Sequence, residues 1–449
     1  MGAGTVMLAF LERQFQLSAN GTSVRTEVLA GSTTFLTLAY ILFVQPALLS
    51  SLGLDFGAVF VATCLASAFA TLLMAGLANY PIAVAPAMGH NFYFAFTVVG
   101  AMAVPWEVAL GGVAIAGAVF VATAGFGLRE LLITAIPRSL KYAIATGIGL
   151  LIAMIGFQWA GIIVASPGTL VALGDLRMPP VLVSLVGLVV MAGLWVRGVQ
   201  GAILIGILAA TGVAWLGGLI EPQGVASLPP SILPTLGQLD VLGALRPEMA
   251  CVIFVFFFLA LFDSVGTLVA VGEQAGLMRD GKLPRARGAL LADAIGTVAG
   301  AGLGTSTVTA YVESATGVAA GGRTGLTAVV IAGLFLLSLF FSPLVSMIGG
   351  GYDAGDGVTL YPVVAPALIL VGTMMVRGVR QIDWDDPTEA LPAFLTIMVM
   401  PLTISITDGI AFGFVAWVVL KLARGRASDV HWLLYVFAAL FLFRYAVLA

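Results

Sequence analysis

Charge is what this sequence has least of. Only 9% of its 449 residues are Asp, Glu, Lys or Arg, where a soluble domain carries about 25%. A soluble globular enzyme is excluded. Histidine and cysteine are equally scarce, at two each. Cys64 and Cys251 both sit in apolar runs, so neither a disulfide framework nor a CxxC metal or redox site can be assembled. No basic stripe runs along the chain, and the formal net charge is -3, so nucleic acid is not a partner. The start, MGAGTVMLAFLERQFQLSANGTSVR, lacks a basic segment leading into a cleavable apolar core and does not read as a signal peptide.

What fills the chain instead is apolar: 60% hydrophobic residues and a mean hydropathy of +1.11. Glycine is abundant, 55 residues against a usual share of roughly 7%, as close helix approach in lipid requires. This is a polytopic, all-α membrane protein. Ten runs are long enough to cross about 30 Å of hydrocarbon: 27–50, 56–78, 108–127, 141–158, 180–196, 200–219, 248–271, 287–303, 324–348 and 361–377. Four more are short or broken, at 81–103, 304–321, 391–405 and 408–424. Residues 5–16 read as an interfacial helix, and 432–449 fits either a crossing or an interfacial segment.

Fourteen spans can be tested with charge. With the N-terminus in the cytoplasm, every Lys and Arg falls on the cytoplasmic side except Arg177, Arg246 and Arg444 in the tail. A wrong span count scatters them. Seven spans followed by seven more must be inverted in the membrane. The third and tenth spans share a pattern, an extended or Pro-broken stretch turning into a Gly-rich helix, and interrupted segments at matching places point to a transporter's midplane site.

Ionisable groups deep in a span cost several kcal/mol unless they face a cavity. Asp263, in FFFLALFDSVGTLVAV, lies fifteen residues after Glu248, roughly 22 Å along a helix and past mid-bilayer. Capping by Ser264 or Thr267 is the bland alternative. Glu313 stands where a β-branched stretch gives way to Ser314, Ala and Gly, and reads as the start of a half-helix, where the macrodipole stabilises a carboxylate by simple capping or beside a ligand. The matching break, APAMGHNFYF, offers Gly89, His90 and Asn91 before an aromatic face that begins at Phe92; Phe262 adds a ring beside Asp263. His90 titrates in the right range to carry a proton, although a supporting hydrogen-bond role is the commoner one. Glu273 and Asp293, nearer span ends, read as solvated caps or as partners of the Arg279–Arg287 cluster. DWDDPTE at 383–389 reads as a wetted loop beside Arg377 and Arg380, without calcium-loop spacing.

Two carboxylates, an amide and aromatics suit a flat, polar, uncharged ligand whose N–H groups a carboxylate can accept and whose face stacks on Phe. A carboxylate in a low-dielectric cavity can also take up a proton near neutral pH, which supplies a coupling ion with no metal or cofactor. Proton-coupled uptake of a nucleobase-like solute is where the residues lead. An anion transporter on the same seven-plus-seven plan is opposed by two carboxylates facing the cavity. A membrane-embedded enzyme lacks a metal cluster or a Ser-His-Asp set.

At these motifs the sequence resembles the AzgA-like purine permeases of the nucleobase-cation symporter-2 (nucleobase/ascorbate transporter) family, from about Arg25 to Arg426. The resemblance is carried by TTFLTLAYILFVQPALL, GAVFVATCLASAFATLLMAGLANYPIAVAPAMG, LFDSVGTLVAV, GTSTVTAYVESATGVAAGGRTGLTAVV and IDWDDPTEALPAF. It implies a core domain at 26–127 and 245–350 and a gate domain at 140–219 and 359–426, flanked by a cytoplasmic segment 1–25 and an apolar tail 427–449. It also implies elevator-like alternating access, commonly in a homodimer, at the inner (plasma) membrane. Carried over by position, Asp263, Glu313, Gly89 and Asn91 bind a hypoxanthine, guanine or adenine-like base and couple it to H+. The chain departs from the family at Ala260, where a second acid is usual, and at His90 and Phe92 in GHNFYFAF; both bear on which base, or which other flat heterocycle such as xanthine or uracil, is taken.

Overall fold

A computed structural model of the chain describes residues 3–125, 136–278, 283–355 and 358–447. Arg129, Arg279 and Lys282, three of the cations used in the topology argument, lie outside the described residues. Among the described residues, eight helices are long and apolar enough to cross a membrane. The chain clusters into two compact units, Met1–Asn91 with Pro105–Gly125 and Val190–Gly350, and Phe92–Val104 with Phe126–Val189 and Gly351–Ala449.

At the centre of the first unit is a two-stranded antiparallel ribbon rather than a helix. Val84–Pro86 pairs with Val308–Ala310 in the register Val84↔Ala310, Ala85↔Thr309, Pro86↔Val308. The extended stretches expected before the half-helices are therefore real and are one structure. In a medium that cannot hydrogen-bond, exposed strand edges are forbidden, and neighbouring hydroxyls satisfy these. Thr71 Oγ1 donates to Val84 O and accepts from Val84 N, both 3.0 Å. Thr297 Oγ1 treats Val308 in the same way, at 2.9 and 3.2 Å. Two threonines on flanking helices thus replace the missing outer strands.

The ribbon leads into short helices, Met88–Phe92 and Ser314–Ala319. The second of these has six residues, less than two turns, so its macrodipole is small and the sequence expectation of a dipole-stabilised carboxylate is weakened. It is held close to the first-span helix by Gly317, where a Cβ would stand 2.6 Å from Ala30 O. The first span, expected as one run, is broken. Val24–Leu38 ends and Ile41–Ser50 begins across Ala39 and Tyr40, and Pro46 inside the second piece removes a donor from its ladder. The break turns the Tyr40 side chain inward, where it is buried.

The end of this unit where Val24–Leu38 and Gly325–Ser338 begin is tied by Glu27. Its carboxylate is fully buried and accepts from Arg323 N at 2.9 Å, Thr327 N at 3.1 Å and Thr327 Oγ1 at 2.6 Å. One acid thus satisfies donors that a helix N-terminus leaves open. Asn79, left-handed at the end of Phe56–Ala78, adds Oδ1 as acceptor for Gly325 N at 2.6 Å. The expected interfacial helix is Ala3–Phe15; Phe15 and Leu17 dock on Ala75 and Leu326, while Val6 and Phe10 stay exposed.

In the second unit, Arg138–Trp159 packs on Ala365–Met375 and Pro387–Thr403, and Pro387–Thr403 on Ile406–Ala423. Close approach again rests on glycine: a Cβ at Gly372 would stand 2.8 Å from Ala153 Cβ. The tail forms a helix, Trp432–Val447, whose Phe437 and Phe441 pack on Phe414. The DWDDPTE segment is a helix start. Asp386 caps Pro387–Thr403 through Thr388 N at 2.9 Å and pairs with Arg424 and Arg426, and Glu389 pairs with buried Lys421 at 2.7 Å. The amide and hydroxyl of Thr388, with Arg424 alongside, hold the Asp386 carboxyl below its ordinary range. A depressed carboxylate stabilises the fold above that range, and the contribution is lost as pH falls through the lowered value. A hairpin, Ile163–Ser166 with Leu170–Leu173, was not expected, although Pro167 and Gly168 between the strands are turn residues.

Candidate functional site

Glu313 sits at the N-cap position of Ser314–Ala319, but its side chain does not cap that helix. The carboxylate instead accepts from Tyr40 Oη at 2.8 Å, so the break in the first span supplies its partner. Asp263, past the middle of Met249–Gln274, accepts from Thr309 Oγ1 at 3.0 Å. Thr309 is the central residue of its strand, so the ribbon delivers Asp263 a donor directly and, through the following turn, fixes Glu313. Both acids keep accessible surface, Asp263 more than Glu313, although their neighbours Tyr40, Thr309 and Tyr311 are buried. The two carboxylates lie within electrostatic reach of each other and of Tyr40 and Tyr311. An accessible carboxylate walled by buried hydroxyls can accept N–H donors from a ligand while its remaining lone pairs stay satisfied.

Asn91 is differently employed from what the sequence suggests. Its Nδ2 donates to Gln45 Oε1 and its Oδ1 accepts from Ser306 Oγ, while Gln45 Nε2 donates to Thr305 Oγ1 at 3.0 Å. All four residues are fully buried. This ring of amides and hydroxyls fastens three interrupted spans to one another, and Asn91 has no free polar atom facing outward. Ser314 is likewise occupied, its Oγ accepting from Ala83 N at 3.0 Å. Gly89 is half-buried and Phe262 half-buried with its ring 4.5 Å from that of Phe258. His90 is buried, its ring beside the backbone of Leu259. Phe92 falls in the second unit, buried and stacked on Phe96 at 5.8 Å.

One expectation is overturned. Asp293 is neither a solvated cap nor an ion-pair partner of the basic cluster: it is fully buried, and its Oδ2 accepts from Ala310 N at 3.2 Å. The reason is the helix face that Asp293 occupies. Ala286–Leu303 begins one residue after Arg285, so Asp293 lies two turns inside it, facing the ribbon and within electrostatic reach of Asp263. Glu273 is exposed. Sequence reading also missed Tyr40, Gln45, Thr309 and Tyr311. The signal for the first two was a tyrosine and a glutamine inside an apolar span; for Thr309 and Tyr311 nothing short of the strand register shows which way they point. Among the described residues, no cluster of His, Cys, Asp and Glu could hold a metal ion.

Tyr40 positions Glu313 rather than touching a ligand by necessity. Tyr40→Phe is expected to weaken ligand binding about tenfold, the size of one lost charge-assisted hydrogen bond, with the fold intact. Titration calorimetry of the variant checks this, and an unchanged Kd contradicts it.

A family model described as Permease family matches residues 25–412. The chain is 49% identical over 446 residues to the putative permease MJ0326 of Methanocaldococcus jannaschii, covering 99% of this chain and 100% of that one. It is 45% identical to the adenine permease AdeP of Escherichia coli, with 97% and 95% covered. Likeness to the guanine/hypoxanthine permease PbuO of Bacillus subtilis is also 45%, with 97% and 100% covered. Among solved structures, the transmembrane domain of the cyanobacterial bicarbonate transporter BicA superposes with a TM-score of 0.62 at 14% identity, covering 86% of this chain and 97% of that one. A murine anion transporter, Solute Carrier 26 family member A9 in the inward-facing state, gives 0.60 at 12%, with 89% and 68% covered. These two share the fold, which is the fourteen-span inverted repeat read from the sequence. The family makes the protein a multi-span membrane transporter rather than an enzyme: the chain belongs to this permease family, within its nucleobase permeases.

Proposed function

We propose that the protein imports a purine nucleobase, adenine, guanine or hypoxanthine, by proton symport. The observation that carries the reading is that Asp263 and Glu313, far apart in sequence, meet at one strand ribbon, each with a hydroxyl partner and neither residue fully buried. Purines present N–H donors on an edge and a flat face, which a carboxylate and a half-buried ring such as Phe262 can serve. The printed names of AdeP and PbuO support a purine. Either carboxylate can take up the coupled proton, with buried Asp293 behind Asp263 as a third acid on the same ribbon. In this reading the ribbon-bearing core, 26–127 and 245–350, carries the site against a gate at 140–219 and 359–426 in an elevator motion. The protein sits as a homodimer in the inner (plasma) membrane with its N-terminus in the cytoplasm, an orientation that the lopsided Lys and Arg distribution supports.

Thermal stabilisation of the purified protein by adenine, guanine, hypoxanthine, xanthine, uracil and sulfate tests this, since a ligand that binds only the folded state raises the melting temperature. A rise with one or more purines is expected. A rise with sulfate and none with any base overturns the reading.

A further inference from the structure

Away from the carboxylates, the first unit holds a polar cavity of about 290 Å³ at the end where Ala286–Leu303 begins. Gln16, Asn20, Tyr80, Leu277 and Arg285 line it, and none of its lining residues is acidic. Arg285 N donates to Tyr80 Oη at 3.1 Å, and the Arg285 guanidinium lies 5.4 Å from the centre of the Tyr80 ring. That contact fixes the guanidinium by cation–π attraction and leaves its N–H donors unspent: the side chain makes no hydrogen bond or ion pair among the described residues. The Tyr80 hydroxyl accepts and so retains its own proton to donate. Among the described residues, Glu12 is taken by Ser18 N at 3.1 Å and Glu273 is outside the lining. The Asn20 amide is spent on Gln16 O at 2.8 Å, so among the described residues the Arg285 guanidinium and the Tyr80 hydroxyl are donors left to the cavity, with no carboxylate in its lining.

A second feature borders the cavity. Gln16 and Asn20 directly follow Ala3–Phe15, whose Val6 and Phe10, one turn apart, are 58% and 63% exposed. An apolar stripe on a short terminal helix is the surface that lies along acyl chains in the headgroup region. An arginine fork and a phenol beside it have the donor geometry for phosphate oxygens.

We propose that this cavity binds a phosphate group, that of an anionic lipid headgroup, with Arg285 and Tyr80 as its ligands and the Val6–Phe10 stripe against the acyl chains. Basic pockets at the end of a membrane bundle recognise such headgroups. The site is independent of the transport reading. It needs neither Asp263 nor Glu313.

The test is the melting temperature of delipidated, detergent-purified full-length protein on adding short-chain phosphatidylglycerol, short-chain phosphatidylcholine or inorganic phosphate. The wild type is expected to be stabilised by phosphatidylglycerol and not by phosphatidylcholine. Arg285→Ala is expected to weaken the apparent affinity about tenfold or more, as loss of a charge-assisted contact does. Arg285→Lys, which keeps the charge without the fork, is expected to fall between. Tyr80→Phe keeps the ring under the guanidinium and is expected to lose part of the effect, which holds the test open should Arg285→Ala fail to fold. Equal stabilisation by phosphatidylcholine, or an unaltered response to phosphatidylglycerol in both Arg285→Ala and Tyr80→Phe, overturns the proposal. Stabilisation by inorganic phosphate alone overturns its lipid source.

Discussion

Glu313→Gln is expected to abolish purine binding, lowering affinity by about 100-fold or more, while the protein still folds. The wild-type carboxylate has one oxygen engaged by the Tyr40 hydroxyl at 2.8 Å, and in the proposed reading the other accepts a ligand N–H. A glutamine offers one oxygen and one NH2. While the Tyr40 hydroxyl keeps donating as it does to the carboxylate, it holds the amide oxygen and leaves the NH2 toward the ligand. Donor then faces donor. The loss is a charge-assisted hydrogen bond together with an unsatisfied ligand donor, about 3 kcal/mol or more, hence the fold-change. Because Glu313 makes no cap bond to its own helix, the substitution leaves the Ser314–Ala319 turn unchanged. Calorimetric titration of variant and wild type, with melting temperatures compared alongside, decides it: an unchanged Kd removes Glu313 from the ligand.

Asp263→Asn is expected to separate binding from coupling. Asn can still accept from Thr309 Oγ1 with its Oδ1, so the contact between helix and strand survives and Kd is expected to move by only a few-fold. What is lost is a group that changes charge. In proteoliposomes with a pH gradient of one unit, a one-proton symporter can concentrate its substrate about tenfold, since one unit is worth about 1.36 kcal/mol. The wild type is expected to approach that ratio and the variant to equilibrate near unity while retaining substrate exchange. Accumulation by the variant equal to the wild type assigns the proton elsewhere, with buried Asp293 the next residue to test. Equal wild-type accumulation with and without the gradient removes proton coupling altogether.

The sequence by itself determined the class of protein, because lipid imposes a composition. With 60% hydrophobic and 9% charged residues, almost nothing but a bundle of spans is available, and the few acids left in that background, Asp263 and Glu313, were legible for the same reason. So was the pairing of the third and tenth spans, since β-branched residues next to Pro and Gly cannot continue a helix. Asp293 was misread although its span, 287–303, was drawn within one residue of Ala286–Leu303: the sequence does not say which face of that helix meets the ribbon, and the face decides whether the acid is solvated or buried against Ala310 N.

Only the tertiary structure decided which polar groups are free. Asn91 and Ser314 look available in the sequence, yet the fold uses both, one on Gln45 and Ser306 and the other on Ala83. Tyr40 looks like one more apolar-span residue, yet a helix break hands its hydroxyl to Glu313. The register Ala85↔Thr309 sets the strand that gives Thr309 to Asp263. In an interior without water every donor must find its acceptor within the chain, and that matching is a property of the whole three-dimensional arrangement. Composition fixes how many polar groups there are; packing fixes which of them remain to meet a ligand.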